Sequence, residues 1–152
     1  MNTRVAALDD IEIVSAMYRD FYAYHDHSQP DFYKEAIENG KYPEYVIRSE
    51  TQDFLITIID DNIAGFIHVS ENERPPYAWI PHRFAVCVDL FVFPPHRKKG
   101  IGTKLIAAAK EWAKNRNLDY IELSVRPENE SAGRLYTQEG FQTISYTMRY
   151  PL

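Results

Sequence analysis

A chain of 152 residues, 45% hydrophobic and 26% charged, has the size and balance of one globular domain, which excludes a disordered or fibrous chain and leaves room for a core that needs no disulfide or structural metal. The formal charge of -5 argues against general nucleic-acid binding, which needs a clustered positive face, and the lone cysteine, Cys87, excludes an intrachain disulfide framework and fits a reducing compartment. No stretch approaches the roughly 20 apolar residues of a membrane span and the N-terminus has no signal-peptide core, so the expectation is one cytoplasmic domain over residues 1–152 with no membrane or nucleic-acid partner.

In chain order, Thr3 to Leu8 reads as a short strand. Asp9 or Asp10 then caps a helix in which Ile11, Val14, Tyr18, Phe21 and Tyr22 recur at helical spacing, ending near Tyr24. A second short helix is expected from Asp31 to Glu38, closed by Asn39-Gly40. Thr51 to Ile59 and Ile63 to Val69 are β-branched runs joined by Asp60-Asp61-Asn62, a hairpin signal, and Ser70 to His82, with Pro75, Pro76 and Pro81, reads as a loop. Phe84 to Phe93 alternates as a strand that is apolar on both faces except at Asp89, which predicts a central strand covered on both sides. After Pro94-Pro95 a basic, glycine-bearing turn leads into a helix whose Ile101, Leu105, Ile106, Ala109, Trp112 and Ala113 share one stripe. Asp119 to Val125 is the next strand, Ser131 to Glu139 a short helix, and Gly140-Phe141 opens a final β segment to Tyr150. Strand, helix and strand over residues 84 to 125 make a βαβ unit with parallel strands.

The chemistry concentrates at the turn that follows the central strand. A Gly-rich turn opening a helix presents backbone N–H groups at the positive end of the helix dipole, which is an anion site. Gly100 and Gly102 remove side chains where a phosphate oxygen approaches, and Arg97, Lys98 and Lys99 raise the local potential. The competing reading is a solvated basic turn whose glycines serve geometry alone. A Walker loop does not fit, because no glycine stands five positions before Gly102, and a dinucleotide fingerprint does not fit, because its third glycine is replaced by Leu105.

The run Val92-Phe93-Pro94-Pro95-His96-Arg97-Lys98-Lys99-Gly100-Ile101-Gly102, R-x-x-G-x-G after V-x-P, resembles the central motif of the GNAT superfamily of N-acetyltransferases. A second signature follows at the right distance, with Asn129, Ala132, Leu135, Tyr136, Gly140 and Phe141 matching N-x-x-A-x-x-L-Y-x-x-x-G-F. The resemblance covers essentially the whole chain. It implies an α/β (α+β) fold, a twisted mixed sheet of about six or seven strands with about four helices, splayed at the strand ending near Val92. It implies acetyl-CoA as acyl donor, its pantetheine arm pairing beside Val92 and its pyrophosphate on the amides around Lys98, Lys99, Gly100, Ile101, Gly102 and Thr103. By the same match Asn129 approaches the pantetheine or its loop, Tyr136 points its hydroxyl at the thioester sulfur as general acid, and the amine attacks directly in a ternary complex.

That reaction needs a neutral amine, and a primary alkylamine with a pKa near 10.4 must give up a proton at neutral pH. Asp89 is a candidate base or amine anchor, because an unpaired charge in an apolar strand is costly and must find a partner or a wet cleft; its competing role is to organise the sheet. Related enzymes often carry a base at the positions that here hold Val86 and Val88, so Glu122 on the neighbouring strand and an ordered water stay open beside Asp89. Ser124 shares the face of Glu122. Cys87 reads as a small core residue, and His25, His27, His68, His82 and His96 show no metal spacing, so no metal site is expected. The acceptor pocket is expected from Tyr18, Tyr22, Tyr24, His25, Asp26 and His27 together with Tyr77, Trp79 and His82, walls that suit a cationic amine. The segment Thr143 to Tyr150 leaves an edge for a second subunit, which implies a homodimer. Two functions compete: an acetyltransferase acting on a primary amine of a small molecule or peptide, and a CoA-binding regulatory module that has lost catalysis.

Overall fold

The computed structural model describes residues 1–28, 41–77 and 80–152, with the backbone alone for residues 25–28. Among these residues five strands form one mixed sheet in chain order: β1 (Asn2–Val5), β2 (Gln52–Ile59), β3 (Asn62–Glu73), β4 (Arg83–Val92) and β5 (Ile121–Leu123). Neighbours are antiparallel as far as β4, and β4 and β5 are parallel, joined by the expected crossover helix. Four α-helices accompany the sheet: α1 (Ile11–Ser28), α2 (Lys41–Arg48), α3 (Ile101–Asn115) and α4 (Glu130–Gln138).

Strand alternation divides the core between two faces. Phe54, Ile56, Phe66 and Phe91 pack against Val14, Met17, Tyr18 and Phe21 of α1 and Val46 of α2. On the other face Leu55, Ile67, Val69, Ala85 and Cys87 meet the α3 stripe of Ile101, Leu105, Ala109, Trp112 and Ala113. Each fully buried side chain of this size contributes roughly 1.5–3 kcal/mol, so the β3–β4 pair, covered on both sides, forms the most stable part of the molecule. Gly65 on β3 allows α3 to seat: a Cβ there would lie 2.9 Å from the Phe91 carbonyl and 3.1 Å from Ile101 Cγ2.

Several boundaries differ from the sequence expectation. Asp10 does not cap α1 forwards; its carboxylate accepts from the Ala7 N–H at 2.7 Å and holds the Arg4 guanidinium at 2.7 and 2.8 Å, so a 3-10 turn at Leu8–Asp10 precedes the helix. The β2–β3 turn has Asp60 and Asp61 at φ 48° and 61°, the two left-handed residues of a two-residue hairpin. β3 continues through Ser70–Glu73, where a loop was expected, because these residues pair with Val86–Arg83 and Glu71 forms an ion pair with Arg83. The expected helix at Asp31–Glu38 lies outside the described residues. α2 was not anticipated: Pro43 and the preceding Asn39-Gly40 look like breakers, yet proline is tolerated in a first turn and Pro43 and Val46 are buried.

The sheet has five strands among the described residues rather than six or seven. β5 is confined to Ile121–Leu123 where Asp119 to Val125 was expected, and the β segment expected from Gly140-Phe141 to Tyr150 pairs with no described strand. The apolar side chains Ile144, Tyr146, Met148, Tyr150 and Leu152 of that segment are exposed.

Candidate active site

The turn after β4 is built by backbone conformation. Phe93 N–H donates to Ala64 O at 3.0 Å, Pro94–His96 form a 3-10 turn, and Lys98 and Gly100 adopt left-handed φ values of 60° and 75°. The consequence is a row of free donors. Among the described residues the amides from Lys98 to Thr103 meet no acceptor, and the first helical bond is Lys104 N–H to Gly100 O at 3.1 Å. Left-handed residues followed by a helix N-terminus form a concave nest of N–H groups suited to an anion. The basic side chains take different parts. Arg97 Nε donates back to the Val92 carbonyl at 2.9 Å, with its guanidinium over the rings of Tyr24 and Phe91, and Lys99 Nζ donates to Pro95 O at 3.1 Å. Thr103 is exposed on the first turn of α3. Gly102 lies against α4, where an added Cβ would meet Leu135 Cδ2 at 2.8 Å.

Beside this nest the sheet opens. Among the described residues β5 pairs with Ala85–Cys87, and Val88–Val92 of β4 have no neighbour on that side. A bulge at Val88 sets what faces the opening: Cys87 pairs with Val69 and Asp89 with His68, so Val88 is the extra residue. Cys87 therefore points to the α3 face, while Asp89 turns to the α1 face, where the Tyr18 hydroxyl donates to its Oδ2 at 3.3 Å. Burial raises the Asp89 carboxyl above the ordinary carboxylate range, and the Tyr18 hydrogen bond pulls it partly back. Tyr18 is fully buried among Phe21, Tyr22, Tyr42, Phe54 and Phe66.

Three further polar groups continue this layer: the Tyr42 hydroxyl lies 3.3 Å from His68 Nδ1, and His68 Nε2 lies 2.9 Å from Gln52 Oε1. Sequence reasoning missed Tyr42, Gln52 and the role of His68. A histidine inside the apolar run Ile63–Val69 was the one available signal.

Tyr136, on α4, is buried, and its ring meets Phe141 edge-on with centroids 5.9 Å apart. Its hydroxyl makes no hydrogen bond among the described residues; burial, with a smaller contribution from Cys87, pushes its pKa up to about 12, so it keeps its proton at neutral pH. Burial likewise pushes the Cys87 thiol up to about 12, which keeps it protonated and unreactive. Asn129 is the N-cap of α4, its Oδ1 accepting from Ala132 N–H at 3.3 Å. Glu122 is ion-paired with Arg74, and His82 is held by Asp119 at 3.0 Å. Of the expected acceptor-pocket residues, Tyr24 lies beneath Arg97 and Tyr77 is exposed, while the side chains of His25, Asp26 and His27, and Trp79, lie outside the described residues.

An anion nest after the central strand, an open β4 edge and the Tyr136 hydroxyl, which meets no hydrogen-bond partner among the described residues, are the features of this part of the chain. Residues 12–141 match the acetyltransferase (GNAT) family, and the chain belongs to it. It is 26% identical over its whole length, and 97% of the relative's, to the uncharacterized N-acetyltransferase YhfO of Bacillus subtilis. In fold it is similar to the tetramutant of the BH1408 protein from Bacillus halodurans, with a TM-score of 0.89, 23% identity and 100% of both chains covered. It also resembles AAC(6')-Iy, solved in complex with a bisubstrate analog of CoA, with a TM-score of 0.77, 18% identity and 99% and 97% of the two chains covered. The chain is accordingly an N-acetyltransferase. Among the described residues no helix is long and apolar enough to cross a membrane.

Proposed function

We propose that this enzyme transfers the acetyl group of acetyl-CoA to a primary amine of a small molecule or peptide by direct attack in a ternary complex. The observation that carries the reading is the row of unpaired amides from Lys98 to Thr103 at the start of α3, placed where β4 loses its neighbour. These donors suit the pyrophosphate of CoA, and the open β4 edge from Val88 to Val92 suits the amides of a pantetheine arm. Arg97 acts by bracing the turn through Val92 O rather than by reaching the phosphates. Asn129 acts by capping α4, which carries Tyr136.

The acceptor arrives as an ammonium, and Asp89 anchors it and takes its proton. A carboxyl raised by burial is a stronger base than an ordinary one, and Tyr18 fixes its orientation. Once the amine nitrogen bonds to the thioester carbonyl carbon, the C–S bond breaks, the sulfur leaves as a thiolate and the nitrogen gives its second proton to solvent. Tyr136, protonated across the neutral range, gives the sulfur its proton and regains one from solvent. The high thiol pKa of Cys87 argues against an acyl-enzyme detour.

The test is single-turnover acetylation across a panel of amines. Tyr136→Phe should lower the chemical step by roughly 10²- to 10⁴-fold with cofactor affinity little changed, and Asp89→Asn should lower it while shifting the pH profile. A loss below about threefold in Tyr136→Phe removes that hydroxyl from the mechanism. Failure of the wild-type protein to release thiol with any amine favours a CoA-binding module without catalysis.

A further inference from the structure

Two polar side chains stand opposite each other on a face of the sheet that is otherwise apolar. In the β3–β4 register His68 faces Asp89, and in the β2–β3 register Phe54 faces His68, so the row Phe54, His68, Asp89 crosses the face covered by α1. Each polar member is met by a tyrosine from the helices above. The Tyr18 hydroxyl of α1 donates to Asp89 Oδ2 at 3.3 Å, and the Tyr42 hydroxyl of α2 lies 3.3 Å from His68 Nδ1. The two tyrosine rings meet edge-on with centroids 5.6 Å apart; burial, and then the Asp89 carboxylate, push the Tyr42 pKa up to about 12, so Tyr42 lies within the field of that carboxylate. Burial keeps the His68 imidazole neutral, with a pKa of about 4, and a neutral ring carries one N–H. Gln52 Oε1, 2.9 Å from Nε2, can only accept, so the N–H sits on Nε2 and Nδ1 is left as an acceptor. Tyr42 therefore gives its proton to Nδ1, as Tyr18 gives its own to Asp89. Tyr18 and His68 are 0% and 1% exposed, whereas Tyr42 is 38% exposed, which makes Tyr42 the member of the three that a ligand can reach.

We infer that the Tyr42 oxygen is a second hydrogen-bond acceptor for the amine of the acetyl acceptor, working beside Asp89, with His68 and Gln52 as positioning residues that hold its hydroxyl proton away from the substrate. The inference rests on the reading of Asp89 as the amine's anchor, and it narrows what the site takes. A carboxylate beside a phenolic oxygen whose proton is already engaged offers acceptors and no donor. Such a site selects a donor-rich cation, an unhindered alkylammonium, over an alcohol with its single O–H or a carboxylate with none. Tyr42 also supplies what a lone carboxylate lacks. Once Asp89 has taken one proton, an amine held by Asp89 alone turns freely about that single contact, whereas a further N–H bond to Tyr42 fixes the direction of its lone pair. The position of Tyr42 is itself fixed: it stands in the first turn of α2, which the buried Pro43 and Val46 seat on the sheet.

The experiment measures thiol release from acetyl-CoA by the full chain with ethylamine, at up to about 0.2 M, as the probe acceptor, for the wild type, Tyr42→Phe and Asp89→Asn, and follows acetyl-CoA affinity by calorimetry. Tyr42→Phe keeps the ring against Tyr18 and removes only the oxygen. The expected result for it is a rise of roughly 10- to 100-fold in KM for ethylamine with acetyl-CoA affinity unchanged, a split that a merely structural role would not produce. An ethylamine KM within about twofold of the wild type's, while Asp89→Asn loses turnover, overturns the role of Tyr42 and leaves Asp89 its own. If Asp89→Asn matches the wild type, the reading of Asp89 falls and this inference falls with it. A wild type that acetylates larger amines yet releases no thiol with ethylamine overturns this inference alone, because a site that grips the ammonium group itself accepts the smallest alkylamines. The direction of the hydroxyl proton is checked without any variant by nitrogen NMR of the imidazoles at neutral pH. His68 protonated on Nε2 supports the inference, and an Nδ1–H tautomer overturns it, since Nδ1 would then donate to Tyr42 and leave the hydroxyl proton to face the ligand.

Discussion

His68 is the group whose titration should dominate the acid sensitivity of the fold. It is 1% exposed on β3, between Gln52 Oε1 and the Tyr42 hydroxyl, with the Phe54 ring centroid 4.9 Å from its own. Burial lowers its pKa from 6.5 to about 4. Above pH 6.5 the imidazole is neutral in both folded and unfolded chains, and the full stability is present. As pH falls from 6.5 towards 4 the unfolded chain binds a proton that the native state refuses, so unfolding becomes easier. At about 1.36 kcal/mol per pH unit the loss by pH 4 is about 3 kcal/mol, a large share of a typical 5–15 kcal/mol. Other groups bracket this window. Asp10, held below the carboxylate range by Arg4, and Asp119, held there by His82, lose stability only at still lower pH. Asp89 has the opposite sign: burial raises it, so it weakens the fold as pH rises from the ordinary carboxylate value through its raised one. The assay is urea unfolding at constant ionic strength between pH 8 and pH 4 for the wild type and His68→Gln, which keeps a polar group and removes the titration. The wild-type curve should fall about 3 kcal/mol further than the variant's across the window; curves parallel to within about 0.5 kcal/mol would refute the reasoning.

Gly65→Ala should cost about 1–3 kcal/mol in thermal or urea unfolding, because its Cβ would stand 2.9 Å from a backbone carbonyl that has no room to yield and would press on the first turn of α3. For the phosphate turn, Gly102→Val should weaken acetyl-CoA binding at least about tenfold by calorimetry, and adding Leu135→Ala should not restore it if the glycine serves to bare the amides. Full recovery in the double variant would mean that Gly102 serves only to seat α4 against Leu135, 2.8 Å from its missing Cβ.

What the sequence made legible follows the physics of local signals. The α3 stripe from Ile101 to Ala113 and the paired aspartates at the hairpin act over a few residues, and they appear where expected. The turn that opens α3 was readable because glycine spacing and basic charge lie next to each other in the chain, and it bares its amides there. The polar chain through Gln52, His68 and Tyr42 was not readable, since its members come from β2, β3 and α2 and meet only through sheet register. The conformation of Arg97 was not readable for a related reason: Val92 O stands within reach and Tyr24 and Phe91 offer their ring faces, so the side chain folds back. The final β segment expected up to Tyr150 forms no strand among the described residues, because alternation in sequence is a pattern and does not by itself supply a sheet to pair with.

The position of Asp89 follows from a single extra residue. In a regular strand Asp89 would share a face with Ala85 and Cys87 and enter the α3 core, where Leu55, Ile67 and Val69 offer no hydrogen bond and an unpaired carboxylate would cost several kcal/mol. The bulge at Val88 restarts the alternation, so that Asp89 and Phe91 turn to the α1 face and the Tyr18 hydroxyl comes within hydrogen-bonding distance. The same insertion leaves Val88 46% exposed at the start of the β4 stretch that β5 does not cover. One unpaired residue therefore keeps the carboxylate out of the wrong core and gives it the one donor that orients it. It also aligns it with the opening where β4 and β5 part.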